Sequence, residues 1–227
     1  MKEINISTNS ELYTIEINAF SLSNIESIFI PSKLIELKEG WCNETSHLNK
    51  IQVMPNNPIY SSFDENKIII GKSSITKENF DVLVFAVRNI KHVKIPSFIE
   101  KIGPYSFDSC IQIQEIELQN DSKLHRIEKF AFRNSTINKF ILPKQITHIC
   151  ENAFYYSKFK KFEIPKDSNL KKIEECGFFG SSIVSIFIPH SLTKIDYDAF
   201  GFCGQLKIIE IDEKSWNKEY FSNQSNF

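Results

Sequence analysis

Ile183-Val184-Ser185-Ile186-Phe187-Ile188-Pro189 is followed six residues later by Ile195 and then by Ala199-Phe200. The same phrase fills Ile90 to Pro96, with Ile102 and Ser106-Phe107 behind it. Recurrence at a fixed period of about 20 to 50 residues is the signature of a solenoid, in which each unit packs only on its neighbours. Such a stack displays a surface, and a catalytic pocket would have to be built from something that breaks the pattern.

Working outward from this phrase, the chain yields eight apolar triplets, the first at Ile25, Ile28 and Ile30 and the last at Leu206, Ile209 and Ile211. The others begin at Leu48, Ile90, Ile113, Ile137, Phe159 and Ile183. The last two members of each triplet are two apart, the period of a strand. Pro31, Pro55, Pro96, Pro143, Pro165 and Pro189 follow these segments and stop them, since proline brings no N–H to a ladder. Parallel strands with short crossovers, repeated, make a coil. A second anchor is aromatic: Phe20, Trp41, Phe107, Phe132, Phe154, Phe178 and Phe200, usually preceded by Ala, Gly or Ser. A small residue beside a large ring suits a tight helical turn that tucks the ring inward, so the rings should stack as a spine. A cofactor box is the alternative use for so much aromatic surface.

From Phe107 the ring-to-ring intervals are 25, 22, 24 and 22 residues, so two rung types alternate. The difference follows the strand. Leu118 to Ile127 and Ile164 to Ile173 span nine positions, whereas Leu142 to Ile149 and Ile188 to Ile195 span seven. The longer corners carry Asp121-Ser122 and Asp167-Ser168, residue types that bond their own backbone in wide bends. Ile6 to Ile15 spans nine as well, with Asn9-Ser10 in that place, so the chain starts inside a rung with Ile4 and Ile6 as a ninth strand. One segment breaks the period. Residues 56–89 contain Ile59 to Phe63, the polar turn Asp64-Glu65-Asn66, Lys67 to Gly71 and then Asp81 to Arg88, which predict a hairpin and a third strand. This island is either a binding element or a brace between two blocks of rungs. The expected organisation is therefore an N-terminal repeat block over 1–55, the island over 56–89, a C-terminal repeat block over 90–211 and a tail or partial cap over 212–227.

The combination Ile-x-Ile-Pro, Leu-x-x-Ile, Ala-Phe and then Cys or Ser resembles the BspA-like, Treponema-type leucine-rich repeats. The matching copies are Ile95-Pro96 with Ile99, Ile102, Phe107 and Cys110; Ile188-Pro189 with Leu192, Ile195, Ala199-Phe200 and Cys203; and Leu142-Pro143 with Ile146, Ile149 and Ala153-Phe154. Leu37 to Cys42 and the island segment Lys67 to Gly71 look like the trichomonad branch. The resemblance implies a right-handed, β-rich α/β solenoid of 22–25-residue rungs, each with a short parallel strand and a short helical turn. It also implies a module without enzymatic activity or cofactor, often displayed on bacterial or protist surfaces and binding a protein or extracellular-matrix ligand.

Composition narrows the function classes. Twenty-seven basic and 28 acidic residues are mixed along the chain, for a formal charge of -1. Nucleic acids and anionic membranes call for clustered Lys and Arg, which the sequence does not display. No run approaches the roughly 18 apolar residues of a membrane span. Met1 to Ile6 lacks the apolar region of a signal peptide, so an intracellular interaction scaffold stands beside a surface antigen or adhesin-like module. Five cysteines, Cys42, Cys110, Cys150, Cys176 and Cys203, have no short pair spacing; as buried thiols they need no partner. The five histidines share no metal-ligand spacing, and no nucleophile elbow or phosphate loop occurs.

Alternation within the strands separates inner from outer residues. If Ile28 and Ile30 face in, Ser27 and Phe29 face out. Extended along the stack, this predicts neighbouring rows in which Lys139, Ile141, Lys161, Glu163, Phe187 and Ile208 form one mixed apolar and charged patch, the candidate partner-binding site. Ordinary cross-strand ladders on a solvated face would look the same in sequence.

Overall fold

Most rungs of the coil contribute two strands. The computed structural model describes residues 2–119 and 121–212, and all but the first residue of the expected tail over 212–227 lies outside them. A first column holds the triplet strands: β1 (Glu3–Ile4), β3 (Ser27–Ile30), β5 (Lys50–Val53), β9 (His92–Ile95), β11 (Ile113–Leu118), β13 (Thr136–Ile141), β15 (Lys158–Glu163), β17 (Ser185–Ile188) and β19 (Ile208–Ile211). A second column holds two-residue strands at the second apolar residue of Leu-x-x-Ile: β2 (Thr14–Ile15), β4 (Glu36–Leu37), β10 (Lys101–Ile102), β12 (Arg126–Ile127), β14 (His148–Ile149), β16 (Lys172–Ile173) and β18 (Lys194–Ile195). All pairs among these strands are parallel, as a coil requires. Ile28, Ile51, Val93, Ile137, Phe140 and Ile186 are buried, while their outward neighbours are half-buried or exposed.

The expected helical turn is absent. Among the described residues no helix forms, and the ring-bearing segment is instead a run of overlapping turns. Its amides alternate in direction. Tyr105, Phe107 and Ser109 donate to Lys129, Ala131 and Arg133 of the next rung, whereas Ser106, Asp108 and Cys110 donate to Gly103, Tyr105 and Phe107 of their own. A helix would bond every amide within the segment. Here half of them bond across rungs, which ties the stack together along this edge. The alternation requires a positive φ at two places per rung, as at Tyr105 (56°) and Ser109 (59°) or Asn152 (54°) and Tyr156 (51°). Most of these residues are not glycine, so the inter-rung bonds and packing offset the roughly 1–2 kcal/mol that a left-handed residue costs.

The rings do stack. Phe107, Phe132, Phe154, Phe178 and Phe200 lie face to face with centroids 4.9, 5.1, 5.0 and 5.5 Å apart and planes within 15°. Ala131, Ala153 and Ala199 beside them are buried, which leaves no room for a larger side chain. Three residues after the ring, Ser135 and Ser157 return a hydroxyl hydrogen bond of 2.7 Å to the ring residue's own carbonyl. Cys110 holds the same place as a buried free thiol. In the second rung the register differs from expectation. Phe20 donates to Trp41 O as Phe107 donates to Ala131 O, and Gly40 and Glu44 carry the positive φ. Cys42 therefore holds the ring position and Trp41 that of the small residue, where its indole packs against Phe20 and Phe85.

The island acts as a wedge. β6 (Tyr60–Phe63) and β7 (Ile68–Gly71) form an antiparallel hairpin, β8 (Val82–Ala86) pairs with β7, and β10 continues the sheet in parallel. Three strands thus fill the second column where one belongs. On the turn edge the same rung supplies no double turn, since Leu83 reaches Ile90 in seven residues where Ile102 reaches Ile113 in eleven. Arg88 fills that place. Its guanidinium donates to the carbonyls of Ser106 at 3.1 Å and Tyr105 at 3.4 Å and lies over the Phe85 ring. Beside it the buried Asp108 accepts from the Glu44 amide at 2.7 Å and from Arg133 at 2.8 and 3.1 Å. The second and fourth rungs are thereby joined directly.

Candidate interaction surface

The outward rows are exposed as the alternation requires. Lys50, His92, Glu115, Lys139, Lys161, Ser185 and Ile208 form one row; Gln52, Lys94, Glu117, Ile141 and Glu210 lie exposed beside it, with Phe29, Glu163 and Phe187 half-buried. Lys139 lies opposite Lys161 and Ile141 opposite Glu163 in the β13–β15 ladder, so four of the six candidate residues come together. The other two stand apart. The ladder stops at β15 and resumes between β17 and β19, where Phe187 pairs with Glu210 and Ile208 with Ser185. At the break Ser182 Oγ accepts the Phe159 amide at 2.9 Å in place of a strand partner.

The rung lengths have a spatial consequence. β11 and β13 pair only at Ile113–Ile137 and Glu115–Lys139, then diverge. The short corner after Leu142 sits between the two longer ones after Leu118 and Ile164, and a recess of about 800 Å³ opens over it. Ile116, Leu118, Ile141, Leu142 and Pro143 line it, with Glu115, Lys139, Lys144 and Asp167 among its polar residues. The long corners are fixed from within. Ser122 and Ser168 accept the amides of Leu124 and Leu170 at 3.3 and 3.2 Å, as the Asp-Ser pairs predict. A second, smaller cleft of about 520 Å³ lies between β5 and β9, against the hairpin tip at Glu65 to Lys67.

Sequence reasoning missed one surface. On the turn edge Tyr105 stacks on Phe130 at 4.9 Å and Tyr155 on Phe179 at 5.3 Å, while Phe202 is 81% exposed. These residues flank the spine rings by one or two positions, and aligning the rungs on those flanks would have found them.

Burial pushes the thiols of Cys42 and Cys110 up to about 12 and about 11, which leaves them protonated and inert as nucleophiles. Among the described residues no group of three His, Cys, Asp or Glu could hold a metal ion. Among them no helix is long and apolar enough to cross a membrane.

The BspA type leucine-rich repeat region is matched over residues 1–69, 73–207 and 147–227, in six copies. The chain belongs to that family. Three solved structures share the fold of this BspA-type chain. A leucine-rich repeat protein from Eubacterium ventriosum superposes with a TM-score of 0.70 at 17% identity, over 92% of this chain and 53% of its own. A leucine-rich cell surface protein from Faecalibacterium prausnitzii gives 0.58 at 21%, over 94% and 54%. The pneumococcal vaccine antigen PcpA gives 0.58 at 20%, over 97% and 53%. The BspA-type chain thus spans about half the length of each. No curated protein matches it in sequence.

Proposed function

We propose that this BspA-type chain is a non-catalytic module that binds a protein partner at a cell surface, in the manner of an antigen or adhesin. The observation that carries the reading is the recess beside Ile141: an apolar floor rimmed by charge on an otherwise regular ladder, the composition that a partner-binding face needs. The printed descriptions of two fold relatives, a cell surface protein and a vaccine antigen, agree with display outside the cell. Family membership supports a repeat scaffold for interaction. Lys139, Ile141, Lys161 and Glu163 are assigned to the contact, with Phe187 and Ile208 as its extension across the break in the ladder.

Two measurements test this. Antibodies against the chain should label intact cells, and labelling that appears only after permeabilisation overturns the surface assignment. A photo-crosslinker in place of Ile141 should capture a protein that the same group at Ile17, exposed on the turn edge, does not. Identical capture from both positions removes the recess as the site.

A further inference from the structure

Lys139 and Lys161 stand directly opposite each other in the β13–β15 ladder. Like charges facing across a ladder destabilise it, and on the neighbouring β9–β11 ladder basic residues meet acids: Lys94 lies 3.3 Å from Glu117 and His92 3.8 Å from Glu115. At β13–β15 this compensation fails. Lys139, Lys158 and Lys160 have no ion-pair partner among the described residues, and Lys161 meets only Glu163 of its own strand. Glu115, in register with Lys139 on the other side, is the carboxylate already beside His92. Between the inward rings Phe159 and Phe162 lie two residues instead of one, so Lys160 and Lys161 both turn outward. The fold therefore brings Lys139 beside Lys158, Lys160 and Lys161, although Lys139 and Lys161 are 22 residues apart in sequence.

Resting on the reading of this face as the binding surface, we propose that its partner is a protein segment that sets carboxylates on Lys139 and Lys161 and an apolar side chain in the recess at Ile141. The charge decides the sign of the partner. The apolar floor decides its class, because a sulfated glycan or a nucleic acid would engage the lysines and gain nothing from Ile116, Leu118 and Pro143.

Three probes titrated against the full chain test this: a peptide alternating Glu and Leu, the same peptide with every Leu replaced by Ser, and heparin. The Glu–Leu peptide should bind at least about tenfold tighter than the Glu–Ser peptide. Lys139→Glu with Lys161→Glu should weaken it by a similar factor, with an unchanged melting temperature, and Ile141→Ser should remove the advantage of Leu over Ser. Lys50→Glu, on the same row but outside the cluster, should change nothing. Equal affinity for both peptides, preference for heparin, no measurable peptide binding or indifference to the double substitution each overturns the proposal. If the Ile141 crosslink survives the double substitution, the surface stands and the acidic partner falls.

Discussion

His148 sits in a column of cations, with Arg126 and Lys172 in register on either side. Burial first, then Arg126, with smaller contributions from Lys172 and Lys171, holds its pKa below the usual 6.5 against the opposing pull of Glu174. A histidine whose folded pKa is depressed binds fewer protons folded than unfolded, so stability falls as the pH drops from about 6.5 through the folded value. Thermal melts between pH 5 and 7.5 should show this loss in the wild type and less of it in His148→Gln. Equal acid sensitivity would mean that the imidazole does not titrate against its neighbours. Arg88 offers a second check at this scale. Its removal as Arg88→Met takes the charged donor from the carbonyls of Ser106 and Tyr105, which keep only the backbone amides of Ala86 and Asp108, a loss of roughly 1.5–3 kcal/mol in denaturant unfolding. A change under about 1 kcal/mol would show that the junction does not depend on it.

At the level of elements, strand faces were legible because period-two alternation is a local property of the backbone. Ile186 is buried and Phe187 beside it half-buried. Ile186→Ser should therefore cost about 3 kcal/mol by chemical denaturation, and Phe187→Ser less than about 1. Comparable losses would reverse the faces. The helical turn was not legible. A small residue followed by a ring is equally consistent with amides bonded within the segment or to the next rung, and only the neighbouring carbonyls at Lys129, Ala131 and Arg133 decide between them. The same holds for Trp41, whose aromatic character pointed to the ring position that Cys42 occupies.

For the molecule as a whole, nearest-neighbour packing makes stability a property of position along the stack. The amides of Phe132, Phe154 and Phe178 bond across rungs beside the stacked rings and should exchange slowest with solvent. Those of β1 and β2, with a neighbouring rung on one side only among the described residues, should exchange fastest. Uniform protection by hydrogen-exchange mass spectrometry would mean that the array opens as one unit. By itself the sequence determined the period, the strands at the triplets, the inward ring at nearly every rung and the alternation of seven- and nine-residue corners, because each is written in local spacing. It did not determine what those corners do together. The recess exists because a short corner is flanked by two long ones, the lysine cluster because residues 22 apart share a ladder position, and the wedge because three strands replace one on a single edge. Each of these depends on what lies one rung away, and in a coil that distance is set only when the stack has formed.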